Sequence, residues 1–398
     1  MTASPPRPYP FAFELLDVSA EYTDLREGPL RRVQLPYGEP AWLATRYADV
    51  KAVLADPTFS RAAAVGRDEP RTRPHPTGPD TIMSYDPPEH SRLRRLVTQA
   101  FTVRRVETLR GRTQQIADGL VEAMIAKGSP ADLVADFGLP LPTLVICELL
   151  GVPADDRERF GIWSDAFLST TKYTPEQVRD HVGALSAYMA GLIDARRSDP
   201  RTDLLSALVA ARDNDDRLSE SELLVMAQSL LIAGHETTAS QIPNFIYTLL
   251  AHPDQLAILR SEPELVPQAV EELLRFTPLG AGGGQPRYAL EDVEIGGVTV
   301  RAGEPVLVAL HSANRDEAVF TDPDVFDLSR QGASHVAFGH GVHHCIGAPL
   351  ARMELQVAVR TLLARLSGLR LTGEEDVEWK TGLSTRGPAR MPVTWDRP

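Results

Sequence analysis

The chain has 398 residues, of which 43% are hydrophobic and 24% charged, and it carries a net charge of −13. A chain of this length can bury a large core, and these fractions are ordinary for a globular protein. The acidic balance argues against nonspecific binding to nucleic acid or to an anionic membrane. The sequence has no apolar run long enough to span a membrane and no signal-peptide pattern at its start, so we expect a cytoplasmic protein.

The helical patterns dominate the sequence in chain order. Predicted helices cover residues 89–101, 104–127, 131–150, 155–171, 175–197, 219–251, 267–276 and 345–366. Short strand patterns cover residues 31–35, 41–45, 293–295, 298–300 and 306–310. Gly296-Gly297 reads as a hairpin turn between two of these strands. We expect a mainly α fold with small β-sheets, in a single domain over residues 1–398.

The pattern over residues 219–251 predicts a long central helix. Ser219 and Glu222 have the S-x-x-E spacing of a capping box at its start. Residues 223–232 are apolar on most faces, which is typical of a helix that crosses a core. Pro243 lacks the N–H that would bond to Ala239, so we expect a kink there.

Two segments have no regular pattern. Residues 69–88 are rich in proline, and a loop of this length in a compact protein is usually a functional lid or disordered. Residues 279–287 contain three consecutive glycines, which a stable helix excludes. Both are candidate parts of a substrate pocket, together with residues 163–175 and 383–386.

The chain has two cysteines, Cys147 and Cys345, without CxxC spacing. That argues against a disulfide framework and a structural zinc site. Cys345 lies among glycines in the segment FGHGVHHCIG, just before a predicted helix whose N-terminus favours thiolate over thiol. A thiolate there suits heme iron as an axial ligand. A buried, inert thiol is the alternative for any lone cysteine.

The segment fixes six positions of the pattern F-G-x-G-x-H-x-C-x-G, a match expected by chance on the order of 10⁻⁸ per start position. It resembles the heme-binding signature of cytochrome P450s. The resemblance implies the P450 fold, with heme b between a long central helix and the cysteine-bearing helix. It also implies that Cys345 is the axial ligand of the iron and that Phe338 packs near the sulfur.

Residues 233–238, AGHETT, place an acid and an alcohol inside the apolar central helix. A satisfied polar pair that bends the helix is one explanation. The other is proton delivery during oxygen activation, and the segment resembles the family's motif for it. The resemblance assigns the catalytic roles to Glu236 and Thr237. We expect Ala233 and Gly234 to leave room for oxygen, and His235 to be an orienting, substrate-facing or neutral position.

Several cations match family positions that bind the heme propionates. They are His90, Arg94, Arg287 and His343, and ionic hydrogen bonds are the expected contacts. Each of them alone would be read as a surface charge. Glu272 and Arg275 resemble the E-x-x-R motif, with Arg330 as its third member. We assign these three to structure around the cysteine loop.

A basic run stands out in the acidic chain: Arg92, Arg95, Arg104 and Arg105. It is either a solvated helix face or a docking patch for an acidic ferredoxin. No flavin or iron–sulfur module fits beside a P450 fold in this length. Ferredoxin and ferredoxin reductase are therefore the expected electron donors, and a monomer is the default state.

The resemblance to actinomycete cytochrome P450s extends over nearly the whole chain and is nearest to those that tailor macrolide antibiotics. It implies hydroxylation or epoxidation of a large apolar polyketide with O₂. Substrate loops vary within one fold, so a steroid, a terpenoid or another small molecule is an open alternative. A peroxide-driven peroxygenase is a second alternative, against which the intact Glu236-Thr237 pair argues. A heme sensor is a third, but the sequence shows no output domain.

Overall fold

The computed structural model describes residues 5–153, 156–213 and 217–396. The chain divides into two compact units, each assembled from two separated stretches. Unit 1 comprises Met1–Ser91 and Leu274–Cys345, and unit 2 comprises Arg92–Leu273 and Ile346–Pro398. The expectation of a single domain over residues 1–398 stays a prediction.

The helices carry most of the described structure. In chain order the α-helices are α1 (Glu21–Glu27), α2 (Tyr47–Ala55), α3 (Glu89–Thr98), α4 (Val103–Glu107), α5 (Arg110–Lys127), α6 (Pro140–Leu150), α7 (Arg157–Leu168), α8 (Pro175–Ser198), α9 (Leu204–Asp213), α10 (Glu220–Ala251), α11 (Pro253–Ser261), α12 (Val266–Phe276), α13 (Leu310–Ala313) and α14 (Ala348–Arg365). The mainly α class is confirmed.

The strands are short. They are β1 (Arg7–Pro8), β2 (Arg31–Gln34), β3 (Ala41–Ala44), β4 (Phe59–Ser60), β5 (Ala131–Asp132), β6 (Arg287–Ala289), β7 (Val293–Ile295), β8 (Val298–Val300), β9 (Pro305–Val308), β10 (Arg370–Leu371), β11 (Glu378–Trp379), β12 (Pro388–Arg390) and β13 (Pro392–Thr394). Unit 1 holds the six-stranded sheet β1-β2-β3-β9-β6-β4 and the hairpin β7-β8. Unit 2 holds β10-β13-β5 and the pair β11-β12.

The large sheet of unit 1 is buried on both faces. Ala44 and Val306 belong to one hydrophobic cluster, and their chain neighbours Leu43 and Leu307 belong to another. Successive side chains of a strand point to opposite faces, so this alternation places one cluster on each side of the sheet. The sheet therefore forms a rigid base from which the segments of unit 1 that carry candidate site residues extend.

The central helix of unit 2 agrees with its prediction. Ser219 accepts a hydrogen bond from the Glu222 amide at 3.0 Å, and Glu222 accepts one from the Ser219 amide at 2.8 Å, so the capping box is present. The helix α10 continues through Pro243 to Ala251. Its residues from Ala239 to Ile246 are all buried, as expected for a helix that crosses a core.

Three helix predictions were wrong in part. Residues 131–150 are not one helix: β5 pairs with β13 there, and α6 begins only at Pro140, where a missing N–H costs nothing. The pattern over 104–127 is broken between α4 and α5. The last helix begins at Ala348, so Cys345 lies three residues before its first residue.

Candidate active site

The cysteine loop of unit 1 is closed by its own backbone. The amide of Cys345 donates a hydrogen bond to the Phe338 carbonyl at 2.9 Å, and the amide of His344 donates to the Gly341 carbonyl at 3.0 Å. Gly341 has φ +70°, and a Cβ there would lie 2.2 Å from the Leu54 carbonyl oxygen. Only glycine fits this position, because a side chain would collide with backbone. The loop presents Cys345 as an exposed thiol in unit 1.

The two cysteines have opposite environments. Cys147 is buried within α6, and burial raises the pKa of its thiol to about 12, with further contributions from Asp156 and Glu148. A thiol with so high a pKa is a poor ligand and a poor nucleophile at neutral pH. Cys345 is exposed. This contrast favours Cys345 as the functional cysteine, as the sequence predicted.

Four of the predicted cofactor residues join Cys345 in unit 1. The rings of His90 and His343 stack with centroids 4.2 Å apart, and His90 is buried. Arg287 opens β6 and is buried, and Phe338 begins the cysteine loop. Arg94, the fifth predicted partner, is half-buried one turn after His90 on α3 and belongs to unit 2.

Unit 1 also buries an arginine that the sequence analysis missed. Arg61 follows β4, and burial followed by repulsion from the Arg287 charge lowers its pKa to about 9. Burial lowers the pKa of Arg287 to about 10. Neither guanidinium donates a hydrogen bond within the part of the chain that the structure describes. Two neighbouring buried cations without hydrogen-bonded counter-ions suit an anionic group such as a heme propionate.

The central helix has one open stretch in unit 2. Ala233 is exposed and Thr237 half-buried, although Ile232, His235 and Glu236 around them are buried. Gly234 does not face this opening, since a Cβ there would lie 2.5 Å from the Ile146 side chain. The expectation that both small residues leave room is therefore wrong for Gly234, which allows α6 to approach α10 closely. Only Ala233 and Thr237 fit the open side.

The hydroxyl of Thr237 donates to the Ala233 carbonyl at 3.1 Å. This bond is the back-bonding considered in the sequence analysis, and it bends or weakens helices slightly. It uses the hydroxyl proton and leaves the oxygen lone pairs available to accept a hydrogen bond. The alcohol at this position can therefore hold a donor on the open side of α10.

Glu236 points to a partner that the sequence analysis did not identify. Its carboxylate accepts a hydrogen bond from the Lys380 ammonium at 2.6 Å and from the Ser240 hydroxyl at 3.4 Å. Its side chain is 4% exposed and that of Lys380 is 13% exposed. In the described residues no hydrogen bond joins Glu236 to Thr237. The acid and the alcohol thus lie on one helix but face different surroundings.

His235 is structural in unit 2. Its Nδ1 lies 2.8 Å from the Leu231 carbonyl and its Nε2 lies 3.0 Å from the Ser164 hydroxyl of α7. A carbonyl only accepts, so Nδ1 carries the proton and Nε2 accepts from Ser164. Burial lowers the pKa of the imidazole, which keeps it neutral. It links two helices, in agreement with the neutral role and not with a substrate-facing one.

The residues assigned to support of the cysteine loop bind backbone. Arg275 donates to the carbonyls of Asn314 and Pro323 at 2.9 and 2.8 Å, and Arg330 donates to that of Val325 at 2.9 Å. Both are in unit 1, whereas Glu272 is buried in unit 2. The two arginines hold the segment that precedes the cysteine loop, which fits a structural role.

The basic run is not uniform. Arg92 forms an ion pair with Glu222 at 2.6 Å and also donates to the Arg217 carbonyl at 2.6 Å, so it caps the start of α10. Arg95, Arg104 and Arg105 are exposed. Any docking patch therefore rests on these three residues and not on Arg92.

The family model described as "Cytochrome P450" matches residues 164–388, more than half of the chain. The chain is 54% identical to the mycinamicin IV hydroxylase/epoxidase of Micromonospora griseorubida, over 99% of this chain and 100% of that protein. The chain belongs to the cytochrome P450 family. It is a P450 monooxygenase that tailors secondary metabolites, and membership implies a heme-thiolate cofactor, an apolar small-molecule substrate and electron-transfer partners.

Other relatives of this P450 act on different molecules. It is also 54% identical to the nocardicin C N-oxygenase of Nocardia uniformis subsp. tsuyamanensis, over 99% of this chain and 100% of that protein. The crystal structure of HinD with NMFT and NO matches with a TM-score of 0.96 and 49% identity, over 99% of this chain and 100% of that one. The search of the described residues for a helix with the length and hydropathy of a membrane span found none.

Proposed function

We propose that this P450 inserts one oxygen atom from O₂ into a C–H or C=C bond of a large apolar polyketide, a macrolide, by hydroxylation, epoxidation or both. The observation that carries the proposal is the end-to-end identity to an enzyme named as hydroxylase and epoxidase of mycinamicin IV. Identity of 54% spread over 99% of the chain includes the segments that surround a substrate, and not only the cofactor motifs.

The cofactor roles follow from the chemistry of the side chains. Heme bound through a thiolate supplies the oxidising chemistry. Cys345 would hold its iron, and Phe338 would pack beside the sulfur. Arg287, with His90, Arg94 and His343, would bind the propionates through ionic hydrogen bonds. Arg61 joins this set because it is buried beside Arg287 without a hydrogen-bonded counter-ion.

The catalytic roles are those of a proton path. Thr237 would accept a hydrogen bond on the open side of α10, since its own proton is held by the Ala233 carbonyl. Glu236 would bring protons from the water-facing side of unit 2, where Lys380 reaches solvent. An acid and an alcohol arranged in this way deliver protons without admitting bulk water.

Electrons would come from a separate ferredoxin and its reductase. Arg95, Arg104 and Arg105 are exposed cations that suit an acidic partner, because complementary charge speeds encounter. A peroxide-driven peroxygenase needs no such partner. Turnover with hydrogen peroxide but not with ferredoxin and reductase would favour that alternative.

A second candidate function is N-oxygenation of a smaller polar product. It is favoured by one observation, the equal identity and coverage of the nocardicin C N-oxygenase. The glycine run bears on the choice: Gly282 and Gly283 have positive φ, and Cβ atoms there would lie 2.8 Å from Pro10 and 2.5 Å from Thr72. These glycines are needed for close packing of the loop within unit 1, so their small size does not argue for a wide pocket.

The test is a titration of the purified ferric protein, observed at the heme Soret band, with mycinamicin IV, nocardicin C, a steroid, a terpenoid and a fatty acid. A fitting ligand displaces the water on the iron and changes its spin state. A saturable shift with the macrolide, followed by its oxidation with ferredoxin and reductase, supports the proposal. A shift with nocardicin C or another class alone discards the macrolide and keeps the enzyme class.

A further inference from the structure

We propose that Lys380 is the positioning residue of the proton path: its ammonium holds Glu236 as a carboxylate turned toward the water-facing side of unit 2. The inference deepens the proposed function and rests on the catalytic role assigned there to Glu236. The ammonium donates to Glu236 at 2.6 Å and to the Ser240 hydroxyl at 2.9 Å. Ser240 is itself fully buried.

The ion pair is too buried to be an ordinary surface contact. An unpaired carboxylate in such a place would cost several kcal/mol and would take up a proton instead. The other polar group at the carboxylate is the weak donor Ser240, so within the described residues Lys380 alone compensates the charge. The charge state of Glu236 therefore depends on this one lysine.

The turn that carries Lys380 is fitted to α10. It lies between β11 and β12 and is closed by a hydrogen bond from the Lys380 amide to the Gly387 carbonyl at 2.9 Å. Gly387 has φ +145°, and a Cβ there would lie 2.8 Å from the Asn244 side-chain oxygen. The Asn244 amide donates to the Arg386 carbonyl at 3.3 Å. These contacts place the lysine over Glu236 and restrict its movement.

The same turn is joined to the loop after α7, a candidate substrate segment. The Gly382 carbonyl accepts hydrogen bonds from the amides of Thr170 and Thr171 at 2.8 and 3.1 Å, and the Ser384 amide donates to the Leu168 carbonyl at 3.0 Å. The turn is thus fixed on two sides, by α10 and by this loop. Such fixing from two elements preorganises a lysine in a way that a mobile surface side chain is not.

The experiment compares K380M, K380R, E236Q and K380M/E236Q in the heme-loaded protein. R390M is the matched control, since Arg390 pairs with Glu378 on the same two strands but both side chains are exposed. Product formed per electron pair is measured on a substrate that shifts the Soret band, together with the affinity for that substrate. We expect K380M to lower this ratio about tenfold, within the 10²–10⁴ that a general acid contributes, with unchanged affinity and partial rescue by K380R.

A second measurement does not depend on turnover. The infrared difference between K380M and K380M/E236Q should show the C=O band of a protonated carboxylic acid at neutral pH, and the difference between the wild type and E236Q should lack it. If K380M does not fold, K380Q replaces it in both measurements.

The outcomes separate the two levels of the proposal. An impaired E236Q with a K380M that matches R390M overturns the role of Lys380 and keeps that of Glu236. An E236Q that turns over with the wild-type ratio overturns the role of Glu236 and this inference with it. A K380M without the carboxylic acid band contradicts the claim that the lysine holds the charge.

Discussion

Arg61 and Arg287 are buried in unit 1 close enough for the charge of Arg287 to lower the pKa of Arg61, after the larger effect of burial. Two like charges side by side in a protein interior are costly unless an anion lies between or beside them. Arg287 could be expected from the family pattern, whereas Arg61 became visible only through its position. The pair ties the local structure of unit 1 to the binding of a dianionic cofactor.

We expect R287Q and R61Q each to loosen heme binding. A charge-assisted hydrogen bond is worth roughly 1.5–3 kcal/mol, so loss of one should speed heme release about 10- to 100-fold. Heme transfer to an excess of apomyoglobin measures the rate. R301Q is the control, because Arg301 pairs with Asp292 at the surface. Release from R61Q at the R301Q rate would remove Arg61 from the cofactor site.

Removal of the Cys345 thiolate should abolish the thiolate signature of the heme. In C345A the ferrous carbon monoxide complex should lose the red-shifted Soret band that a thiolate ligand produces. C147A should keep it, since the pKa of the buried Cys147 thiol is raised to about 12 and that sulfur stays protonated. A C345A protein with the wild-type band would refute the ligand assignment.

Local signals were predictable from sequence, and long-range contacts were not. The capping box of Ser219 and Glu222 and the proline at the start of α8 depend on neighbours within one turn, so the pattern alone located them. Lys380 lies 144 residues from Glu236, and no local pattern marks a lysine that reaches a buried acid. A cofactor motif shows the residues that touch the cofactor but not those that hold them in place.

Tertiary contacts also overrode helix patterns in particular places. Ala131 and Asp132 have no local reason to leave the helical pattern, and they become β5 because β13 offers them strand partners. Strands as short as β4 and β6 carry too few residues to show an alternation. The glycines at 282 and 283 were correctly seen to exclude a helix, but their close packing on Pro10 and Thr72 required the structure.

Removal of the Thr237 hydroxyl should uncouple electron use from product formation. In T237A the lone pairs that accept on the open side of α10 are gone, so electrons should be consumed with several-fold less product. T237S keeps the hydroxyl and should restore most of the coupling. The measurement compares product with NADPH oxidised in the reconstituted system, and a fully coupled T237A would refute the role of this alcohol.

Acid should destabilise the protein partly through His235. Burial holds the folded-state pKa of His235 below its usual 6.5, although the charge of Glu236 opposes this, so the unfolded chain takes up the proton first. Its stabilising contribution is complete above pH 6.5 and is lost as the pH falls, by up to ~1.4 kcal/mol per pH unit. Urea unfolding between pH 7.5 and 5.5 should show a shallower decline for H235Q. Parallel curves would mean that another group is responsible.

Glu354 should give the opposite dependence. It is fully buried on α14, and neither carboxyl oxygen has a hydrogen-bond partner in the described residues. Burial raises its pKa well above 4.5, so the folded state keeps a proton that the unfolded chain releases. Stability is therefore lost as the pH rises above 4.5, by up to ~1.4 kcal/mol per pH unit until the folded state also ionises.

E354Q, which cannot ionise, should escape this loss, so its free energy of unfolding should exceed that of the wild type at pH 8 by more than at pH 5. E291Q is the control at an exposed glutamate and should follow the wild type. His235 and Glu354 titrate in different ranges and with opposite sign, so H235Q alters the acid side of the profile and E354Q the alkaline side. If E354Q gains nothing between pH 5 and pH 8, Glu354 does not keep its proton in the folded protein.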